Sequence, residues 1–139
     1  MLYADTSALV KLFLAEDGSA EAQAAIRGAD IAATSILSFA ELRAALAAAT
    51  RAGRISQGQH TDLVVALNGL WRALFKVGVD EGLVMKAGDL AERLGLRGYD
   101  AVQLASLSTF AEPSDTVFAC WDADLRKAGQ SLGYQMLPI

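Results

Sequence analysis

The sequence predicts an α/β fold with a short-stranded parallel central sheet and dominant helices. Short apolar runs alternate along the chain with longer segments whose apolar residues recur at helical spacing, a pattern typical of α/β domains. The chain has 139 residues, of which 53% are apolar, so it can bury a sizeable core without a disulfide or a structural metal. It contains two prolines, and we find no low-complexity tract or internal repeat. We therefore expect a single domain that spans residues 1–139.

The predicted elements alternate between strand and helix along the chain. Strands are expected where short apolar runs are bounded by polar residues or Gly, namely Leu2–Ala4, Ile31–Thr34, Lys76–Val79, Thr116–Cys120 and Tyr134–Leu137. Helices are expected where apolar residues share one face, namely Thr6–Glu16, Ser19–Arg27, Ser38–Arg51, Ser56–Phe75, Asp80–Leu94, Tyr99–Phe110 and Asp124–Leu132. A short turn with Gly53 joins the third and fourth of these helices, which predicts an antiparallel hairpin.

Four acidic residues lie in apolar surroundings, where charge is rarely found unless it is paired or bound to a cation. Asp5 and Asp122 each directly follow a predicted strand, whereas Glu41 and Asp100 lie near the start of a predicted helix. In open parallel sheets, ligand sites gather beyond the carboxyl ends of the strands. We therefore expect the four carboxylates to converge, and their repulsion predicts a hard divalent metal ion as the counter-ion.

Each carboxylate also has a purely structural interpretation. Asp5 could be a helix N-cap, and Asp100 and Asp122 could favour the positive end of a helix dipole. Ser38 and Glu41 fit the capping-box pattern, in which the glutamate returns a hydrogen bond to the start of its own helix. The sequence pattern leaves both interpretations open for each residue.

Neighbouring polar residues are candidates for auxiliary roles at the same site. Thr6 and Ser7 follow Asp5, and a hydroxyl there could orient a carboxylate or a metal-bound water. The alternative is the ordinary chemistry of a helix start. Asp124 lies two residues after Asp122 and could join the site through a water, with a helix-cap role as the alternative.

Two arginines are candidates for holding phosphate groups. Arg97 and Arg43 lie close in sequence to Asp100 and Glu41, respectively, and a guanidinium can bind phosphate through two parallel hydrogen bonds. The alternative for both is a solvated surface charge.

The composition excludes several classes of site. Cys120 is the only cysteine, so a disulfide scaffold and a cysteine-based zinc site are excluded within one chain. His60 is the only histidine and lies in a polar stretch, where we expect a solvent-facing helix residue. A Ser-His-Asp triad therefore has little support.

The sequence also predicts a cytoplasmic protein and is compatible with a nucleic acid as its partner. No apolar run approaches the ~20 residues that a membrane helix needs, and Asp5 and Lys11 interrupt the region where a signal peptide would be apolar. The net charge is −4, which argues weakly against a nucleic-acid partner. The four carboxylates in apolar surroundings account for the excess of negative charge. The local charge around a binding site matters more than the net charge of the chain.

Four sequence blocks resemble the PIN-domain ribonucleases, particularly the VapC-like toxins of bacterial and archaeal toxin–antitoxin pairs. The blocks are Tyr3–Phe13, Ser38–Leu46, Leu96–Ala105 and Phe118–Leu125. They occur in the family's order, and the resemblance covers essentially the whole chain. One departure is Cys120, which stands where relatives often have Thr or Ser.

The resemblance implies a three-layer α/β/α sandwich and metal-dependent endoribonuclease activity. It implies that Asp5, Glu41, Asp100 and Asp122 form an acidic pocket that binds Mg²⁺ or Mn²⁺. Our hypothesis is that Asp5 and Asp100 are the direct ligands and that Glu41 and Asp122 act through waters or a second ion. Arg97 and Arg43 would then bind the RNA substrate. A cognate antitoxin is the expected partner, with a tail that covers the acidic pocket, and the predicted helical hairpin could form part of its groove or a homodimer surface.

Two other functions remain open at this stage. A small-molecule phosphohydrolase would also place Asp residues at strand ends, but it would usually need a second Asp where this chain has Ser7. A catalytically inert interaction module with the same fold is the other alternative, and the complete acidic set argues against it.

Overall fold

A five-stranded parallel sheet lies at the centre of the computed structural model, which describes residues 1–139. The order across the sheet is β3-β2-β1-β4-β5, and every neighbouring pair is parallel. The strands are β1 Leu2–Ala4, β2 Ala32–Ser35, β3 Phe75–Val77, β4 Val117–Ala119 and β5 Gln135–Leu137. Because β1 is central and is paired on both edges, the residues that follow it lie at the middle of the sheet's carboxyl end.

Seven α-helices flank the sheet and complete the predicted α/β/α sandwich. They are α1 Thr6–Leu9, α2 Ser19–Gly28, α3 Ser38–Arg51, α4 Gln57–Ala73, α5 Glu81–Leu94, α6 Gly98–Phe110 and α7 Ala123–Ser131. The predicted fold class is therefore confirmed, and all five predicted strands are present with boundaries shifted by at most two residues.

Two hydrophobic cores lie on opposite faces of the sheet. Successive side chains of a strand point to opposite faces, so Tyr3 joins the core formed with α5, α6 and α7. Leu2 and Ala4 join the other core, formed with α1 to α4. All three residues of β1 are buried, as expected for a central strand of a parallel sheet.

The predicted hairpin of α3 and α4 is antiparallel. Phe39 in the first turn of α3 packs against Trp71 in the last turn of α4, with ring centroids 5.1 Å apart. Ser56 caps α4 in a reciprocal capping box with Gln59. His60 lies in α4 and is partly exposed, with a Gln57 amide near its ring.

The first helix is shorter than the sequence predicted. The prediction was Thr6–Glu16, but α1 ends at Leu9 and is followed by a single 3₁₀ turn at Val10–Leu12. Lys11 explains the early end, because it is buried and its Nζ donates to Glu16 Oε2 at 3.3 Å and to the Asp17 carbonyl at 2.8 Å. These bonds fold the segment after Leu12 back over the turn, which a continuous helix could not do.

No helix in the structure is both long and apolar enough to span a bilayer.

We expect Gly129→Ala to lower the free energy of unfolding by about 1–3 kcal/mol. A Cβ at Gly129 would lie 2.7 Å from the ring of the fully buried Phe118 and 3.2 Å from the Met136 sulfur, so α7 could not keep its distance from the sheet. Gly88→Ala in α5 is the matched control, because a Cβ there meets nothing within 4 Å. It should stabilise the protein by about 0.4–1 kcal/mol. Urea denaturation measures both values, and equal effects of the two substitutions would contradict the close α7 packing.

Candidate active site

Asp5 lies directly after β1 and is 4% exposed. Its Oδ1 accepts hydrogen bonds from the Ala8 backbone N–H at 3.1 Å and from Ser7 Oγ at 2.7 Å, so Asp5 is indeed the N-cap of α1. Its Oδ2 accepts from the Cys120 thiol at 3.4 Å. The capping interpretation therefore accounts for one carboxylate oxygen, and the other has only a weak thiol donor.

The buried charge of Asp5 has no cationic partner. None of the five ion pairs within 4.0 Å in the structure includes it. Burial raises the pKa of Asp5 from 3.8 to about 6, against the opposing effect of the hydrogen bonds from Ser7, Ala8 and Cys120. A carboxylate that is desolvated without a compensating charge gains strongly from a bound cation.

Glu41 is held by side chains from two other helices. Its Oε1 accepts from Thr6 Oγ1 at 2.9 Å and from Gln103 Nε2 at 2.9 Å. The capping-box interpretation of Ser38 and Glu41 is wrong, because the N-cap of α3 is Leu37, whose side chain makes no capping bond and whose backbone N–H donates to Ser35 Oγ. Glu41 is therefore directed towards α1 and α6.

Asp100 and Asp122 are bridged by one guanidinium. Arg97 Nε donates to Asp100 Oδ2 at 2.8 Å, and Arg97 Nη2 lies 3.5 Å from Asp122 Oδ2. The remaining oxygen of Asp122 caps α7 through the backbone N–H groups of Asp124 and Leu125 at 3.1 and 2.9 Å. The bond and charge of Asp100, followed by the charge of Asp122, raise the pKa of Arg97 above its ordinary value.

The end of β4 connects the surroundings of Asp5 and Asp122. Cys120 Sγ contacts Asp5 Oδ2 and lies 3.7 Å from the backbone carbonyl of Asp122. Ser7 Oγ accepts from the Trp121 backbone N–H at 2.7 Å while it donates to Asp5. Ser7 therefore holds a carboxylate and the β4–α7 loop in one arrangement, and Cys120 contacts both Asp5 and the Asp122 backbone.

Two predicted auxiliary residues lie away from the carboxylates. Asp124 is 81% exposed, and its side chain contacts Lys127 at 3.9 Å. Arg43 is exposed, and its guanidinium lies 6.0 Å from the ring centroid of Phe39. Neither side chain makes a hydrogen bond to any of the four carboxylates, although the charge of Asp124 contributes to the raised pKa of Arg97.

Gln103 is a site residue that the sequence analysis missed. It lies on α6 three residues after Asp100, is 2% exposed and bonds Glu41 directly. Residues three apart share a helix face, so an amide at this spacing in the apolar run after Asp100 was the signal that could have revealed it.

The carboxylate set has the chemistry of a hard-metal site but is not a closed cluster. Mg²⁺ and Mn²⁺ prefer oxygen ligands, and the uncompensated Asp5 fits such an ion. No three Asp, Glu, His or Cys side chains are arranged as a group that could hold a metal ion. Asp100 and Asp122 instead share the Arg97 guanidinium, so direct ligation by three carboxylates would require Arg97 and at least one carboxylate to move.

The parallel five-stranded sheet, with buried and paired carboxylates beyond its central strands, agrees with one known family of domains. The chain belongs to the PIN-domain family, whose model matches residues 2–110.

Relatives and solved structures place the chain more closely. It is 37% identical over 138 residues to ribonuclease VapC45 of Mycobacterium tuberculosis, and the aligned residues cover 99% of this chain and 95% of that protein. Its fold is similar to that of PAE2754 from Pyrobaculum aerophilum, with a TM-score of 0.70, 22% identity and coverage of 98% and 83% of the two chains. A toxin–antitoxin complex from Klebsiella pneumoniae contains a similar chain, with a TM-score of 0.60, 18% identity and coverage of 88% and 87%. The family resemblance read from the sequence is therefore confirmed.

We expect Asp5→Asn to become more stable than the wild type as the pH rises, when both are measured in a chelator. The pKa of Asp5 is raised in the folded protein, so its contribution to stability is complete below about pH 3.8 and is lost as the pH rises through about 6. That shift corresponds to about 3 kcal/mol. Asparagine keeps the cap and cannot ionise, so the difference between the two proteins should grow from pH 4 to pH 7.

Chemical denaturation at a series of pH values measures this difference. Asp89→Asn on the exposed side of α5 is the control and should follow the wild type at every pH. Parallel stability curves for Asp5→Asn and the wild type would show that Asp5 titrates normally.

Proposed function

We propose that the protein is a divalent-metal-dependent endoribonuclease that acts in the cytoplasm as the toxin of a toxin–antitoxin pair. The observation that carries this proposal is the buried Asp5 carboxylate, which lacks a cation. Neighbouring contacts link it to the other carboxylates: Thr6, the next residue, bonds Glu41, and Cys120, which bonds Asp5, also contacts the Asp122 backbone. Arg97 in turn joins Asp122 to Asp100. The 37% identity to a protein named ribonuclease VapC45 supports RNA as the substrate.

In this proposal Asp5 and Asp100 bind Mg²⁺ or Mn²⁺ directly, and Glu41 and Asp122 complete the site through waters or a second ion. When bound, the ion supplies a water of lowered pKa and positive charge for the phosphate. The protein supplies the orientation: Ser7 fixes Oδ1 of Asp5, Thr6 fixes Oε1 of Glu41, and the site needs no histidine.

Arg97 is the candidate phosphate ligand. Its side chain is 78% exposed, and it uses two of its nitrogens for carboxylates. A guanidinium has five N–H donors, so the remaining donors can bind an RNA phosphate next to the carboxylates.

The expected protein partner is a cognate antitoxin, a partner suggested by the toxin–antitoxin complex among the similar structures. A largely apolar cavity of about 510 Å³ lies between the end of the first helical segment and the α3–α4 hairpin. Phe13, Leu14, Ile55 and Leu63 are among the residues that line it, together with Arg54. An apolar helix of the antitoxin could dock there. A homodimer through the exposed Val84, Met85 and Tyr99 of α5 and α6 belongs to the same proposal.

A small-molecule phosphohydrolase is less well supported. The Ser7 hydroxyl, at the position where that chemistry would usually have a second Asp, is already bonded to Asp5 and to the Trp121 backbone N–H. An inert interaction module would bind partners but would cleave no RNA with any metal.

The purified protein should cleave single-stranded RNA with Mg²⁺ or Mn²⁺, and EDTA should abolish the activity until the metal is restored. Asp100→Asn should lower kcat by roughly 10³-fold or more, because it removes a charged oxygen ligand from the ion that drives the reaction. Asp89→Asn is the control and should retain full activity. Cleavage that persists in EDTA or in Asp100→Asn would contradict the metal mechanism.

The same variants test the toxin role in cells. Induced wild-type protein should slow bacterial growth, and Asp100→Asn should not. Full growth with soluble, RNA-cleaving wild-type protein would refute the toxin role and leave the nuclease intact.

Arg97→Ala should raise KM for RNA about tenfold, since one charged phosphate contact is lost. Arg43→Ala removes a guanidinium of the same charge that lies away from the carboxylates, so KM should change less than about twofold by the same reasoning. Steady-state cleavage of a fluorescent RNA measures both values. If both substitutions raise KM equally, the two arginines attract RNA only through nonspecific charge.

A further inference from the structure

A buried polar network centred on Gln103 lies beneath the carboxylates. The Gln103 side-chain amide contacts four side chains, which come from β1, α1 and α3. Its Nε2 lies 2.9 Å from Ser38 Oγ, 2.9 Å from Glu41 Oε1 and 3.2 Å from Thr6 Oγ1. Its Oε1 accepts from the Tyr3 hydroxyl at 2.8 Å. One amide therefore joins β1, α1, α3 and α6.

The chemistry of the neighbours fixes which way this amide points. An ionised carboxylate can only accept, so the nitrogen of Gln103 has to face Glu41 and the oxygen has to face Tyr3. Tyr3 is fully buried, and burial raises its pKa well above the ordinary value, so its hydroxyl stays protonated and donates. Its ring packs on Phe118 with centroids 5.8 Å apart. Tyr3 is thus a rigid anchor for the amide.

Glu41 depends on this amide for its direction. The carboxylate is only partly buried and stands at the end of a flexible side chain, and Thr6 and Gln103 are the two donors on its Oε1. Gln103 also lies three residues after Asp100 on the same helix. One helix therefore carries a predicted metal ligand and holds a second predicted ligand from another helix.

We propose that Gln103 is a positioning residue that fixes the Glu41 carboxylate relative to Asp5 and Asp100. This inference rests on the proposed function, because it takes Glu41 to act in the reaction. Gln103 contacts no substrate and acts through Glu41. The competing interpretation is that Gln103 only satisfies the buried hydroxyls of Tyr3 and Ser38.

The test compares Gln103→Met, Tyr3→Phe and the double variant in the full-length protein. Methionine keeps the length of glutamine but donates no hydrogen bond. We expect kcat for RNA cleavage to fall roughly 10–100-fold, with KM within about twofold of the wild type, as is typical when an outer-shell partner of a site is lost. Leu107→Val is the stability control, since it removes one methylene from the α6 core and should leave kcat unchanged.

The double variant separates positioning from a structural role. The Tyr3 hydroxyl donates to Gln103 and makes no hydrogen bond to Glu41, so the double variant shows how much of its effect on kcat is transmitted by Gln103. We expect Tyr3→Phe to lower kcat roughly threefold to tenfold in the wild type and to have no further effect in Gln103→Met, the signature of coupled residues. Wild-type kcat in Gln103→Met, or the same factor for Tyr3→Phe in both backgrounds, overturns the proposal.

Crystal structures of the wild type and Gln103→Met give a readout that does not depend on activity. The Glu41 carboxylate should leave its position beside Thr6 in the variant, and an unchanged Glu41 overturns the positioning role. A wild type that cleaves no RNA with Mg²⁺ or Mn²⁺ would refute the proposed function, and the two structures would still decide whether Gln103 orients Glu41.

Discussion

The Asp5 carboxylate is buried at the carboxyl end of the central strand, where its negative charge has no cationic partner. Burying a carboxylate is costly, and the raised pKa measures part of that cost. The fold tolerates it because β1 is paired on both edges and three donors from Ser7, Ala8 and Cys120 surround the charge. The rest of the site is arranged around this fixed point.

The two sides of the site use different means to hold their carboxylates. Asp5 and Glu41 are held by neutral donors in or near the core, whereas Asp100 and Asp122 share the exposed guanidinium of Arg97. Neutral donors fix the direction of a carboxylate but leave its negative charge uncompensated. The guanidinium compensates the charge, but it lies in water, so the ion pair is easily broken. The protein thus combines a rigid buried half with an exposed half that can exchange its counter-ion.

The fold and the acidic positions were readable from the sequence because they follow from periodicity. Short apolar runs and helical spacing located all five strands and seven helices, and Asp5 and Asp122 were expected after β1 and β4 because a carboxylate lies just beyond each of those runs. The early end of α1 could not be read, since it depends on Lys11 reaching Glu16 and Asp17 across a turn. The partners of Gln103 lie on distant elements, so the sequence shows only its spacing from Asp100 and not the bond to Glu41.

The strand order carries a consequence for biosynthesis. The surroundings of Asp5 include the Cys120 thiol, and Ser7 is fixed by the Trp121 backbone, so residue 5 obtains its environment only when the segment that includes β4 has docked beside β1. Chains are made from the amino end, and contacts of large sequence separation form after the intervening residues exist. A ribosome-bound nascent chain that does not yet contain β4 would therefore carry Asp5 without the assembled site, and any activity of the site would begin only after β4 has docked.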